Sequence, residues 1–149
     1  MLNPDGIIFV GDLGEGDLRL VKSIKLLPFP TAVILGNHDR GFDGTGEILK
    51  KQISILGDSY CGWSKCNWGL KEISVIGARP CSSGGGFYLS AEVRGAFGEV
   101  SLTESVEMIS NAANSAPDEF PLVLLAHSGP SGLGSEADSL CGRDWKPPA

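Results

Sequence analysis

The chain has 149 residues, 42% hydrophobic and 20% charged, and twelve basic against eighteen acidic residues give a net charge of −6. That length suits a single domain, and the composition excludes wholesale disorder. No basic stripe marks a nucleic-acid binder, and no apolar run approaches the ~20 residues of a membrane helix. Its 21 glycines and nine prolines are clustered rather than periodic, which excludes collagen and implies ordered loops.

Asp5-Gly6 is a turn signal, and Ile7-Ile8-Phe9-Val10 reads as a short strand buried on both faces. A loop follows from Gly11 to Gly16. Asp17 is placed to cap a helix over residues 18–27 that turns Leu20, Val21, Ile24 and Leu27 to one side, until Pro28 and Pro30 stop it. Ala32-Val33-Ile34-Leu35 is a second buried strand, followed by a polar loop from Gly36 to Gly44. Strand, helix and strand in this order make a βαβ unit with a parallel pair. A second helix is expected over 45–53.

Residues 60–68 and 70–77 are aromatic and β-branched around Asn67–Gly69, which predicts a hairpin. Arg79 to Gly86 is a loop. Ser101 and Glu104 have capping-box spacing for a helix to about Ser115, with Leu102, Val106, Ile109 and Ala113 as its apolar face. Leu122 to Ala126 is a third buried strand, and the tail 131–149 is rich in loop-forming residues. The expected class is α/β: βαβ units and a mixed sheet with a hairpin, flanked by helices.

The four cysteines, Cys61, Cys66, Cys81 and Cys141, form no C-x-x-C pair and have no neighbouring histidines, so buried free thiols are expected rather than a zinc site.

Each apolar strand runs into a loop with its own polar signature: Gly11-Asp12, Gly36-Asn37-His38-Asp39 and His127-Ser128-Gly129-Pro130. Ligands of open α/β sheets bind beyond the carboxyl ends of the strands, so the three loops are expected on one edge. Together they offer a carboxylate, an amide oxygen and both histidines of the chain. Hard oxygen with imidazole suits Mn, Fe or Zn. Singly, each residue has a plainer reading: Asp12 as a turn residue, Asn37 in a left-handed turn, His127 as a structural histidine. The joint pattern is far more specific.

These loops resemble those of the calcineurin-like metallophosphoesterases. Gly-Asn-His-Asp is the most specific element, and Gly132-Leu133-Gly134 after the His-x-Gly-Pro is similar to a cyanobacterial and plant branch. The resemblance implies a layered sheet and a two-metal centre that hydrolyses a phosphoester. It implies that Asp12 bridges the ions and that Asn37 and His127 bind the second one. It further implies that His38 stabilises the transition state or protonates the leaving oxygen, oriented by Asp39. Two ions ~3.5–4 Å apart clamp a phosphoryl group and acidify a bridging water.

The same resemblance calls for an earlier Asp-x-His and a later Gly-His-x-His, and neither occurs. A partial metallophosphoesterase domain, truncated at both ends and lacking a complete site, is therefore the expectation. The alternative is a non-catalytic isoform that binds a partner or a single metal. Sheet edges left exposed would favour partners or self-association. Nothing in Met1–Gly6 reads as a signal or transit peptide, so the chain as it stands is expected in the cytoplasm, and a longer form is open to the plastid.

Several other residues have structural readings. Arg79 and the Ser82–Gly86 loop fit ordinary loop chemistry better than phosphate binding. Asp17 and Glu15 fit a helix start better than support of Asp12. Tyr60, Trp63 and Trp68 fit hairpin packing better than a substrate platform. Ser128 lacks a base, and Glu99, Glu104 and Glu107 fit a solvated face.

Overall fold

The structure, a computed structural model, describes residues 4–66, 73–83 and 86–128. In chain order the elements are β1 (Ile7–Phe9), α1 (Leu18–Lys25), β2 (Thr31–Val33), a 3₁₀ turn (Asn37–Arg40), α2 (Glu47–Leu56), a second 3₁₀ turn (Gly57–Ser59), β3 (Ser74–Gly77), α3 (Ala91–Phe97), α4 (Leu102–Asn114) and β4 (Leu122–Leu125). This is a mixed α/β fold. β1 pairs in parallel with β2 across α1, and β3 pairs in parallel with β4 across α3 and α4. No helix among the described residues is long and apolar enough to cross a membrane.

The two pairs are joined through Tyr60–Gly62, which bridges β2 at Val33 and β3 at Gly77, both in parallel. Cys61 N donates to Val33 O (3.0 Å) and Trp63 N to Ala78 O (3.1 Å). The order across the fold is therefore β1, β2, residues 60–62, β3, β4. Part of the hairpin expected over 60–77 is present: among the described residues Lys65 and Ile76 pair antiparallel, with Cys66 N donating to Val75 O and Gly77 N to Ser64 O. The expected turn at Asn67–Gly69 lies outside the described residues, and residues 60–62 depart from a simple hairpin by pairing in parallel. Burial supplies the reason. Cys61 and Val75 are wholly buried, and buried backbone groups need partners on both sides, so the segment lies between two strands.

α1 starts where Asp17 caps it: the carboxylate accepts from Arg19 N at 2.8 Å. The resulting bidentate contact with Arg19 holds the Asp17 carboxyl down at about 2. Val21 and Ile24 are its buried face, each worth ~1.5–3 kcal/mol of apolar burial. Leu20 and Leu27 stay more than a third exposed. α2 begins later than expected because its start is set by Asp43, whose carboxylate accepts from Thr45, Gly46 and Ile48 N–H groups.

α4 opens on the expected capping box: Glu104 N donates to Ser101 Oγ and Ser101 N to the Glu104 carboxylate. Its buried face matches the expected one only in part, with Ile109 against the core. Ser105 and Ala112 are buried, with Met108 and Ile109 partly so, while Leu102 and Val106 are more than half exposed. The rotation has a polar cause. Trp63 Nε1 donates to Ser105 Oγ at 2.7 Å in the core, and that bond turns Ser105 inward. Trp63 also meets the Phe97 ring edge-on at 5.2 Å, so Trp63 and Tyr60 are core residues.

Of the three strands expected to be covered on both faces only β2 is, while β3 is buried along its length as well. β1 and β4 are the outer strands, and Ile8, Val10, Leu122 and Leu124 are exposed. One core cluster gathers Val21, Ile24, Val33, Leu35, Leu49, Leu56, Trp63 and Val93 under the helices. A second, on the other side of the sheet, holds Ala32, Ile34, Cys61, Cys66, Val75 and Leu125. Cys61, Cys66 and Cys81 are free and buried, as expected, and Cys141 lies outside the described residues.

Candidate functional site

The chain leaves β1 through Val10 and Gly11 into Asp12, which has a left-handed φ of 54°, a conformation that aspartate tolerates. It leaves β2 through Ile34 and Leu35 into Gly36 and the 3₁₀ turn of Asn37–Arg40. It leaves β4 through Ala126 into His127. These three exits meet at one edge of the sheet.

Gly11 and Gly36 permit the meeting. A Cβ on Gly11 would lie 2.6 Å from Gly36 N and 2.7 Å from His127 Nδ1. A Cβ on Gly36 would overlap the Asp12 carboxylate and lie 2.7 Å from His127 Cε1. Any side chain at either position would push the loops apart.

His127 is held from both ring nitrogens. Nδ1 lies 2.7 Å from Val10 O, and a carbonyl only accepts, so Nδ1 carries a hydrogen. Nε2 lies 3.0 Å from Asn37 Oδ1 and 3.4 Å from Asp12 Oδ1. In the neutral ring with hydrogen on Nδ1, Nε2 presents a lone pair to two oxygens. These three acceptor atoms thus face one another, an arrangement that a metal ion between them or a turned Asn37 amide donating to Nε2 would satisfy.

The spacing suits a metal. Donors ~2.1 Å from one ion stand ~3.0 Å apart across a right angle and ~3.4 Å apart at a tetrahedral angle. Asp12 is fixed in turn by His38 N, which donates to Asp12 Oδ1 at 3.0 Å. A backbone carbonyl on Nδ1, as Val10 O provides, is a common partner for a metal-ligating imidazole. Among the described residues no group of three or more His, Cys, Asp or Glu side chains could hold a metal ion.

Asp39 and His38 part company. Successive side chains of a 3₁₀ turn point ~120° apart, so one enters the protein where its neighbour leaves it. Asp39 is fully buried. Its Oδ1 accepts from Leu13 N (2.7 Å) and Gly14 N (3.1 Å), and its Oδ2 accepts from Gly36 N (2.8 Å). Asp39 therefore ties the loop after β1 to the loop after β2, and its carboxylate is engaged there rather than on His38. The His38 side chain is 54% exposed, with Nδ1 3.9 Å from Glu15 Oε1. Glu15, read from sequence as part of a helix start, stands instead beside His38.

A fourth loop joins the same edge. Cys81 N donates to Leu35 O at 2.7 Å, and Ser128 Oγ donates to Ser82 O at 2.8 Å, which ties the residue after His127 to this loop. Arg79 holds the loop's shape: its guanidinium donates to Tyr88 O, Ser83 O and Gly86 O and stacks over Phe87. Burial lowers its pKa. The sequence-predicted Gly129, Pro130 and Gly132–Gly134 lie outside the described residues.

Two supports escaped the sequence reading. Gln52 of α2 donates to Asp39 O at 2.5 Å, and Glu92 of α3 accepts from Gly44 N at 3.2 Å while facing Arg40 Nε at 3.8 Å. Gln52 had a signal: it stands on the buried row of α2 with Leu49 and Leu56, where a polar residue needs a partner. Glu92 had none.

Comparison with protein-family models, with curated proteins and with solved structures finds no match.

Proposed function

We propose that this chain is a metal-dependent phosphoesterase of the calcineurin-like kind, built around a divalent ion on Asp12, Asn37 and His127. The observation that supports it is the facing of His127 Nε2 toward Asn37 Oδ1 and Asp12 Oδ1 at 3.0 and 3.4 Å, with Nδ1 committed to Val10 O. Imidazole with two hard oxygens suits Mn, Fe or Zn. A bound ion supplies Lewis-acid polarisation of a phosphoryl oxygen and a more acidic water. Asp12 and Asn37 bring oxygen to it from two strands, and His127 brings nitrogen from a third. Asp39 sets the spacing of the first two loops. His38, exposed beside this cluster, would donate a proton to the leaving oxygen of a phosphoester, with the Glu15 carboxylate 3.9 Å from its ring.

A second reading has its own support. The described residues supply three protein ligands to one ion and only Asp12 to share with another. A chain that binds one ion without turnover fits that donor count.

The deciding experiment titrates the purified chain with Mn²⁺ and assays an aryl phosphate monoester and diester beside Asn37→Ala and His38→Ala. The expected result is one Mn²⁺ per chain, lost in Asn37→Ala and kept in His38→Ala. Metal-dependent turnover that Asn37→Ala abolishes supports the phosphoesterase. Single-ion binding without turnover selects the second reading. Mn²⁺ binding indifferent to Asn37→Ala overturns both.

A further inference from the structure

We propose that Phe42 determines the specificity of this site, its ring serving as a platform for a flat aromatic leaving group on the phosphoester. The proposal rests on the reading of Asp12, Asn37 and His127 as a phosphoester site, and it names the substrate class that site would take.

The first observation is conformational. Five non-glycine residues among those described have positive φ, and three of them, Asp12, Glu15 and Phe42, surround His38. Asp12 accepts from its backbone N–H, the Glu15 carboxylate stands 3.9 Å from its ring, and the Phe42 ring lies 6.3 Å from it, edge-on. Phe42 has a φ of 52°, which a bulky side chain rarely adopts.

Packing fixes that conformation. Gly41 has a φ of 87° and lies so close to α2 that an added Cβ would come within 2.6 Å of Ile48 Cβ. The Gly41–Phe42 turn is thereby pinned on α2.

The third observation is exposure. The turn does not bring Phe42 into the core: the residue is 52% exposed. The Arg40 guanidinium lies 4.4 Å from the ring centroid, and Glu92 faces Arg40 from the protein side. Arg40 thus lies over the ring, and the His38 ring meets it edge-on. A strained backbone that ends in an exposed, oriented aromatic ring is a feature of binding sites rather than of packing. The His38 backbone N–H holds Asp12 and the Phe42 ring lies 6.3 Å from the His38 ring, so a group that projects from a bound phosphoester past His38 would meet Phe42. A flat ring on that group would stack on the phenyl face, while a short alkyl group would leave it in water.

The test uses two non-hydrolysable probes, phenylphosphonate and methylphosphonate, titrated calorimetrically into the chain with Mn²⁺ present. The expected result is phenylphosphonate bound about tenfold more tightly, the gain that stacking on one aromatic side chain gives. Phe42→Gly should bring phenylphosphonate to the methylphosphonate value, and Phe42→Tyr should keep the preference. Glycine suits the left-handed turn, so its thermal midpoint should not fall, which separates lost stacking from lost folding. Equal affinity for the two probes in the parent chain, or a preference that survives Phe42→Gly, overturns the proposal and leaves the phosphoester reading standing. Failure of both probes to bind removes that reading and the proposal with it.

Discussion

His127 Nε2 stands 3.0 Å from Asn37 Oδ1 across 90 positions of sequence. Neither atom brings a proton to the contact when the imidazole is neutral, because Val10 O claims the hydrogen on Nδ1. A metal ion would take the pair as two ligands, and without one a turned Asn37 amide would supply the missing hydrogen.

Metal binding to the native state alone raises stability by mass action, ~2.7 kcal/mol at a hundredfold excess over Kd. Saturating Mn²⁺ should raise the thermal midpoint of the parent chain. His127→Ala and Asn37→Ala should abolish the rise, whereas Asn37→Asp, which keeps the oxygen and adds charge, should retain it. An equal rise in all four proteins would show that the ion binds elsewhere. Differential scanning fluorimetry with and without chelator reads the difference directly.

Asp39 bears on stability directly, and on metal affinity only through the spacing of the two loops it ties together. Its carboxylate satisfies the N–H groups of Leu13, Gly14 and Gly36, and its own backbone oxygen takes the Gln52 amide. Asp39→Ala would leave three donors without their acceptor, each costing ~1–3 kcal/mol where it stays buried. A loss of at least ~3 kcal/mol is expected in urea unfolding, with metal affinity falling as the two loops separate. Asp39→Asn keeps one acceptor oxygen and should lose less. An Asp39→Ala protein of parental stability would refute this clamp.

The βαβ start of the chain was legible because its signals are local: an apolar run, an aspartate cap, prolines as a stop. The capping box of Ser101 and Glu104 was legible for the same reason. The loop edge was legible because Gly-Asp, Gly-Asn-His-Asp and His each follow an apolar strand. What escaped were contacts decided by distant residues. The face that α4 buries is set by Trp63, 42 positions away, and periodicity alone picked that row only in part. The segment 60–62 looked like a hairpin arm because its composition is that of any strand; that it lies between β2 and β3 is set by both neighbours at once. The role of Asp39 was hidden by its position next to His38, since adjacency in sequence is divergence in a 3₁₀ turn.

The Trp63–Ser105 bond gives a test of the α4 register. Ser105→Ala leaves the buried indole N–H without an acceptor and should cost ~1–3 kcal/mol. Val106→Ser on the exposed face should change stability little, within ~0.5 kcal/mol. A Ser105→Ala protein as stable as its parent, paired with a damaging Val106→Ser, would mean that α4 is turned as periodicity suggested. Urea midpoints of the two variants decide between the two rotations.

Acid should loosen the start of α2 before it loosens the core. The Asp43 carboxyl, capped by the backbone N–H groups of Ile48, Thr45 and Gly46, is drawn down from 3.8 to about 2, with the Ile48 bond the largest favourable cause. The folded value lies below the unfolded one, so the native state binds its proton less readily. The stabilisation is complete above 3.8 and is lost as the pH falls toward about 2. Asp17 at the start of α1 behaves alike, through Arg19. Asp43→Asn should lower the thermal midpoint at neutral pH and narrow the gap to the parent as the pH falls through that window. Because the group is exposed, the effect should be modest, and hydrogen exchange at Ile48 should report it more sharply than global unfolding. A parent-to-variant gap that stays constant from neutral pH down through that window would assign the cap no part in acid stability.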